Sequence, residues 1–275
     1  MNSTLEHPLT LAHSDLELFR TEGYLVMPQF FEPREIAAML RELERFKSEG
    51  LIRNVSTAGD GKTHSNERVN LQICPITPRS ELYRALPFHP KILSVVSQLI
   101  GEPFEHHLDQ IFLKPARNGA GTSWHQDNSY FFISDPTKGV GMWVALHDSH
   151  VLNGTMHVIP RAFDVALEHK RDPLSDHHIR CFPDESKAIP VEMKAGGVLF
   201  FNYGVPHCTK SNQTDSDRAG LALHFLRTDF RHKEIAAAGA YPGPYLRGPL
   251  ASGGQNEHGK LIEGTWSEEV DRIVG

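Results

Sequence analysis

An α+β chain whose later part closes as a double-sheet jelly roll is what this sequence predicts, and three observations carry the expectation. Three helical patterns fall within the first hundred residues, short β-rich runs dominate from His106 onward, and those runs are separated by Gly, Pro, Asn and Asp. Helices first, then many strands closing on themselves, is the pattern of an α+β chain with a jelly-roll core. A chain of 275 residues can bury a sizeable core, and barrels of this length commonly stay undivided, so one domain over 1–275 is expected.

The N-terminal part reads as a helical buttress over about 14–100. Ser14 is placed to cap a short helix through Asp15-Leu16-Glu17-Leu18-Phe19, with Glu17 as the third helical residue, and Gly23 is placed to end it. Tyr24 to Met27 follows as an apolar strand. Glu32 to Lys47 has helical periodicity, with Ile36, Met39, Leu40, Leu43 and Phe46 on one stripe whose expected role is core packing. Pro90 to Leu99 is a further helix, its proline suited to the first position, expected to buttress a sheet. The jelly-roll core is expected over about 106–232, in the runs Leu108 to Pro115, Gly141 to His147, Met156 to Pro160, Gly197 to Asn202 and Ala219 to Arg227. An insert over about 163–190, rich in Asp, His, Arg and Pro, reads as a surface loop or lid, the kind of segment in which substrate choice resides. The tail, about 233–275, mixes Gly, Pro and Tyr between Gly239 and Gly254 and is expected to fold over the barrel mouth or to mediate dimer contacts.

Composition narrows the function classes. Hydrophobic residues at 39% and charged residues at 23% are ordinary globular values, and no run approaches the roughly 18 apolar residues that span a bilayer. The first 14 residues carry neither an apolar signal core nor an Arg-rich amphipathic pattern, so a cytoplasmic location is expected. Cys74, Cys181 and Cys208 are an odd number without C-x-x-C spacing, which argues against a disulfide framework or a structural zinc site and suits a reducing compartment. A net charge of -6 with scattered Lys and Arg disfavours nucleic acid as partner. No membrane partner is expected, and the number of copies in an assembly is left open.

Chemistry enters with Trp124-His125-Gln126-Asp127 and, far downstream, Pro206-His207 with Arg218 eleven residues on. Positions i and i+2 of a strand share a face, so His125 and Asp127 can reach one metal while Gln126 faces away. With His207 they make two imidazoles and one carboxylate, a facial set that holds Fe(II) and leaves three positions open. That is enough for a bidentate 2-oxo acid and one dioxygen. A His-x-Asp alone is weak in a chain with 17 histidines, and a lone Pro-His reads equally as a packed or surface histidine. Arg218 changes the balance, because a buried guanidinium fork fits a carboxylate bidentately. Thr209, two beyond His207, should share its strand face and can give a hydroxyl to the same carboxylate; the alternative is an exposed threonine.

Seven ordered blocks carry a resemblance: Phe19 to Val26, His107 to Pro115, Trp124 to Asp127, Met142 to Leu146, Asn153 to Pro160, Gly196 to Phe201, and Pro206-His207 with Arg218. In these the chain resembles the phytanoyl-CoA dioxygenase family of Fe(II)- and 2-oxoglutarate-dependent oxygenases, from about Leu16 to about Phe230. The resemblance implies a double-stranded β-helix, the cupin-like jelly roll, with the metal at its open end. It implies His125, Asp127 and His207 as iron ligands, 2-oxoglutarate as co-substrate held by Arg218, and O2 as the second co-substrate. By the same analogy Gln110 and Lys114 line the 2-oxoglutarate pocket and Trp143 stands beside it; a surface charge for Lys114 and a core aromatic for Trp143 are the alternatives. Asn153-Gly154-Thr155 reads as a tight turn, with Gly154 able to take positive φ.

The implied activity is hydroxylation of an unactivated C–H bond in a small-molecule metabolite, with release of succinate and CO2. Related halogenases carry a small residue where Asp127 stands, so the carboxylate favours hydroxylation; desaturation, epoxidation and ring formation share the same oxidant. The family pattern continues after Ile-Pro into Gly-Ser-His, whereas Ile159-Pro160 is followed here by Arg161-Ala162-Phe163, which makes the wall near the substrate unusual. No cluster of Lys and Arg offers the phosphates of a coenzyme A thioester a pocket. Of the other histidines, His147, His150, His177, His178 and His224 are expected in loops or exposed, and His157 alone sits where a strand turns it toward the pocket. Cys208 should face away from His207, and no G-x-S-x-G elbow supports a serine hydrolase. Two further readings stay open: a catalytically silent binding or sensing barrel, and a cupin-like metal enzyme that does not use 2-oxoglutarate.

Overall fold

Side-chain alternation along the long strands builds a sheet with two buried faces. In the computed structural model, which describes residues 7–232 and 243–275, the large sheet runs in the spatial order β1 (Tyr24–Met27), β11 (Val198–Asn202), β6 (Gly139–Ala145), β13 (Arg218–Arg227), β4 (Phe104–Lys114), β3 (Leu71–Ile73) and β2 (Arg53–Asn54). A further strand, β14 (Tyr245–Arg247), also pairs with β4. The small sheet runs β10 (Ile189–Val191), β7 (Met156–Val158), β12 (His207–Thr209) and β5 (Thr122–His125). Neighbouring strands are antiparallel throughout. The result is the expected α+β jelly roll.

One face of the large sheet turns Met142, Val144, Ile111, Leu113, Leu221 and Leu223 toward the helices, in one apolar core with Ile36, Met39, Leu43 and Phe46 of α2 (Pro33–Ser48) and Ile92, Val95 and Val96 of α4 (Pro90–Ile100). The other face turns Trp143, Ala145, Leu199, Phe201 and Ala222 toward Met156, Val158 and Val191 of the small sheet. Because both faces are covered, β6 is buried along its whole length and reads as a continuous apolar run.

The elements expected from sequence are present with shifted ends. The first helix, α1 (His13–Glu22), starts at Ala12 rather than Ser14: Asp15, not Glu17, is the third helical residue, and its carboxylate accepts the Ala12 N–H at 3.3 Å. Gly23 ends it at φ 85°, where an added Cβ would also strike Phe163 and Val205. A short α3 (Glu81–Ala85) and α5 (Asn128–Phe131) interrupt the strands. The described part of the tail pairs along the start of β4 and places α6 (Trp266–Val274) on the helical side, where the Trp266 indole donates to buried Glu35 at 2.5 Å. Residues 239–242 of the segment expected over the mouth lie outside the described residues. Among those described, no helix is long and apolar enough to cross a membrane.

Candidate metal centre and co-substrate pocket

Strand pairing brings the two imidazoles together. His125 is the last residue of β5 and His207 the first of β12, and they stand opposite each other in the register with ring centroids 4.1 Å apart. Each Nδ1 lies against a carbonyl, Ser123 O at 2.8 Å and Val205 O at 2.9 Å. A carbonyl only accepts, so Nδ1 carries the ring proton and the Nε2 lone pair faces inward. Burial, then the neighbouring His207, pushes His125 down to about 3, and burial lowers His207 as well, so both rings are neutral ligands at neutral pH.

Asp127 reaches the same point by a different route from the one expected. β5 stops at His125, and Asp127 has φ -60° and ψ -33° as the residue that opens α5. The extended i, i+2 geometry therefore does not apply: the chain has turned, with Tyr130 N–H on Asp127 O, and the turn swings the carboxylate inward. Its Oδ1 lies 3.7 Å from His125 Nε2 and 3.6 Å from His207 Nε2, and one ligand atom from each residue falls within 4.8 Å of the other two. Burial works to raise the Asp127 carboxyl, but His207, His224 and His125 around it hold it below its ordinary range. One ionised carboxylate and two neutral imidazoles converge here, Asp127 and His207 buried and the His125 side chain 12% exposed, and they fit a divalent iron with an open side.

His224 adjoins this cluster from β13, with Nδ1 3.4 Å from Asp127 Oδ2. The sequence reading expects His224 in a loop or exposed, whereas it lies on a buried strand. Parity was the available signal: His224 lies six residues beyond Arg218 on one strand, hence on the same face.

At the other end of the cavity Arg218 and Lys114 face each other across β13 and β4. Both are almost completely buried, at 1% exposure each, and neither has a carboxylate partner among the described residues. Lys114 is thus no surface charge. Its ammonium donates to Thr209 Oγ1 at 2.7 Å, to Gly154 O and to Lys210 O. Arg218 donates to Asn153 O and Gly154 O, which leaves three of its five N–H groups unused. Gly154 takes φ 76° and passes so near Lys210 O that a side chain there would clash, which is how the turn brings its carbonyl between the two cations. Burial lowers Lys114 well below its ordinary range and Arg218 to about 9. Thr209 already accepts from Lys114 Nζ and from Thr122 N–H, so its hydroxyl proton remains to be given. The Trp143 ring lies 5.5 Å below the guanidinium. An anion is what such a pocket lacks, and a carboxylate fits both the fork and the charge.

A continuous cavity of about 310 Å³ joins the two ends, lined by His125, Asp127, His207 and His224 at one and by Lys114, Thr209, Arg218 and Trp143 at the other. Gln110 also lines it, but its side chain is bonded to Gln72 and lies four residues from Lys114, roughly 13 Å along the strand.

Three other expectations change. His157 does not line the cavity: on β7 it is Met156 that faces inward, while His157 turns outward with Nδ1 on Thr155 O. His177 and His178, expected exposed or hydrogen-bonded in loops, do lie in a loop of the insert, but they line the cavity from it. Arg161 stands outside the wall, 73% exposed, at φ 59°, a conformation side chains rarely adopt. Its N–H donates to Glu22 O and its guanidinium grips the Glu22 carboxylate, which holds the backbone there without glycine. Cys208 packs outward with Trp124, Ile159 and Cys181.

The insert carries its own two-stranded sheet, β8 (Lys170–Arg171) and β9 (Ile179–Arg180), and is fastened to the metal motif. Gln126, buried between the ligands' positions in sequence, donates to Val165 O and Gly204 O and accepts from Leu167 N–H, while its own N–H donates to His169.

Comparisons with known proteins point the same way. The sequence signature of the phytanoyl-CoA dioxygenase family matches residues 19–220. An ectoine dioxygenase of Halomonas elongata is 23% identical over 83% of this chain and 74% of its own, and a phytanoyl-CoA dioxygenase of Arabidopsis thaliana is 27% identical over 73% and 69%. Among solved structures, the α-ketoglutarate-dependent carbocyclase SnoK from nogalamycin biosynthesis superimposes with a TM-score of 0.68 at 21% identity, over 88% of this chain and 97% of its own. EctD of S. alaskensis with 2-oxoglutarate and 5-hydroxyectoine superimposes with 0.66 at 18% identity, over 95% and 92%.

Proposed function

This chain belongs to the phytanoyl-CoA dioxygenase family and is an iron- and 2-oxoglutarate-dependent dioxygenase; from that premise we propose that it hydroxylates an unactivated C–H bond of a small-molecule metabolite. His125, Asp127 and His207 would hold the iron, and Arg218, with Lys114 and Thr209, would hold the distal carboxylate of 2-oxoglutarate. Bound together, iron, 2-oxoglutarate and O2 supply the oxidant, with one oxygen atom passing to substrate and the other to succinate as CO2 leaves.

The chain's own contribution is binding, orientation and exclusion of water. Ser123 O and Val205 O fix the imidazole tautomers, and His224, 3.4 Å from the carboxylate oxygen that faces away from the ligand centre, would steady it. Arg218 and Lys114 set the direction in which a dicarboxylate lies, with its keto-acid end toward the ligands. Tyr130, Phe131, Phe201 and Met156 line the space between and exclude solvent. A small substrate suits a cavity of about 310 Å³ that also admits the co-substrate, and the relatives' named ligands, such as 5-hydroxyectoine, are small molecules. A reducing, cytoplasmic setting belongs to the same reading, since Cys74, Cys181 and Cys208 are free thiols.

The observation that carries the reading is the pair of buried cations without a carboxylate among the described residues, Arg218 and Lys114, in the same cavity as the ligand triad. Anaerobic titration of the metal-free protein with Fe(II) and 2-oxoglutarate tests it. The weak visible charge-transfer band of the chelate should form in wild type and weaken in Arg218→Ala. Bound iron without a band would favour a metal enzyme that does not use 2-oxoglutarate, and no bound iron would leave a silent barrel.

A further inference from the structure

Between the level of Lys114 and Arg218 and the level of His224, on the side toward β3, the cavity holds two glutamines in an unusual state. Gln72 on β3 is 4% exposed, and its register partner Phe112 shares the inward face of β4 with Gln110. Gln72 Nε2 donates to Gln110 Oε1 at 2.6 Å. Among the described residues that single bond leaves Gln72 Oε1 buried with no partner and leaves the Gln110 amide N–H groups unused. Swapping the oxygen and nitrogen of both amides gives the same result with the roles exchanged, because one amide-to-amide bond always leaves one carbonyl and one NH2 over. An unpaired buried acceptor costs free energy unless something in the cavity satisfies it.

Charge in the same space is already committed. Asp127 is the sole acid among the described lining residues and points at the ligand centre. Lys114 and Arg218 lie at the co-substrate end, and Arg53 and His177 at the rim are both held by Asp176. Burial keeps His178 neutral. Leu108 and Phe112 flank the glutamines with apolar surface.

Resting on the function proposed above, we propose that Gln72 and Gln110 read the substrate, selecting a neutral group that presents a hydrogen-bond donor and an acceptor side by side. A lactam or other amide edge has this chemistry, and a hydroxyl has it on one atom. A substrate whose recognised group is an ammonium or a carboxylate lacks a counter-charge here.

The test uses the protein loaded anaerobically with Fe(II) and 2-oxoglutarate, whose charge-transfer band reports separately on the underlying reading; without the band that reading fails before this one is examined. Calorimetric titration then compares 2-piperidone with ring-matched cyclohexanol, piperidine and cyclohexanecarboxylate. The neutral probes should bind and the charged ones should bind at least about 10-fold more weakly, the scale of one or two hydrogen bonds. Tighter binding of 2-piperidone identifies the amide edge, and equal or tighter binding of cyclohexanol identifies a hydroxyl. Gln72→Leu and Gln110→Leu should each weaken the neutral probe about 10-fold while the 2-oxoglutarate midpoint of the band stays fixed, which also shows that the variants fold. Charged probes binding as well as neutral ones, or unchanged binding in both variants, overturns the proposal. So does a shifted 2-oxoglutarate midpoint in Gln110→Leu, which would return Gln110 to the co-substrate.

Discussion

Lys114 and Arg218 are register partners on adjacent strands, and their cationic groups share one acceptor, the carbonyl of Gly154. With only backbone dipoles and a hydroxyl around them, burial works against the charged forms of both groups, and a dicarboxylate entering between them would favour those forms. Lys114→Met should therefore leave the ligand-free protein no less stable, or more stable by up to about 2 kcal/mol, while 2-oxoglutarate affinity falls roughly 10- to 100-fold, the weight of one charge-assisted hydrogen bond. Thermal unfolding with and without 2-oxoglutarate checks both. A variant that melts lower without ligand and keeps the ligand-induced rise would show Lys114 to be structural.

His224 touches Asp127 through the carboxylate oxygen turned away from His125 and His207. Groups that orient a metal ligand commonly account for 10- to 100-fold in metal affinity. His224→Ala should weaken Fe(II) binding by that factor, measured by competition with a chelator. Once iron is saturating, the 2-oxoglutarate midpoint should match wild type, since His224 is remote from Arg218 along β13. An unchanged iron affinity would remove His224 from the metal centre.

How much of this was legible in sequence depends on whether the signal was local. Tyr24–Met27 and the apolar stripe of α2 follow from periodicity, and both are found where periodicity puts them. His125, Asp127, His207 and Arg218 stand out by spacing together with resemblance, and they line one cavity, yet the extended geometry expected of Asp127 was wrong, because the hydrogen bond of Asn128 N–H to Tyr203 O turns the chain there. Gln72 was invisible: a lone glutamine on a three-residue strand carries no motif, and only its pairing with β4 brings it to the cavity. The same holds for His178, which reaches the site because the insert folds back across Val55 to Thr57.

Gln126 ties that insert down. Its side chain makes three hydrogen bonds from a site 3% exposed, to Val165, Leu167 and Gly204. Gln126→Leu keeps the shape and removes all three, a loss of roughly 3 kcal/mol at about 1 kcal/mol each. Because the insert holds few apolar contacts of its own, the loss should appear locally, as faster proteolytic cleavage within 163–178, with iron still bound. Global unfolding at unchanged cleavage pattern would show that the insert and barrel melt together.

Asp109 supplies a pH dependence whose sign can be worked out. It is buried on the helix-facing side of β4, where its Oδ1 accepts the Ile76 N–H at 2.7 Å and the Thr77 N–H at 3.3 Å. Burial raises its carboxyl to about 6, against the opposing pull of those two amides. An acid raised on folding keeps its proton where the unfolded chain, near 3.8, has released it. The stability it contributes is therefore complete below about pH 4 and is lost as pH climbs through about 6, by roughly 3 kcal/mol at 1.4 kcal/mol per pH unit. An asparagine in its place keeps the accepting oxygen and cannot ionise. Asp109→Asn should thus gain on wild type as pH rises from 4 to 7, by about that amount, and the difference should be flat above 7. Urea unfolding of both proteins across that range measures it, and a difference that is constant with pH would mean that Asp109 ionises normally in the folded chain.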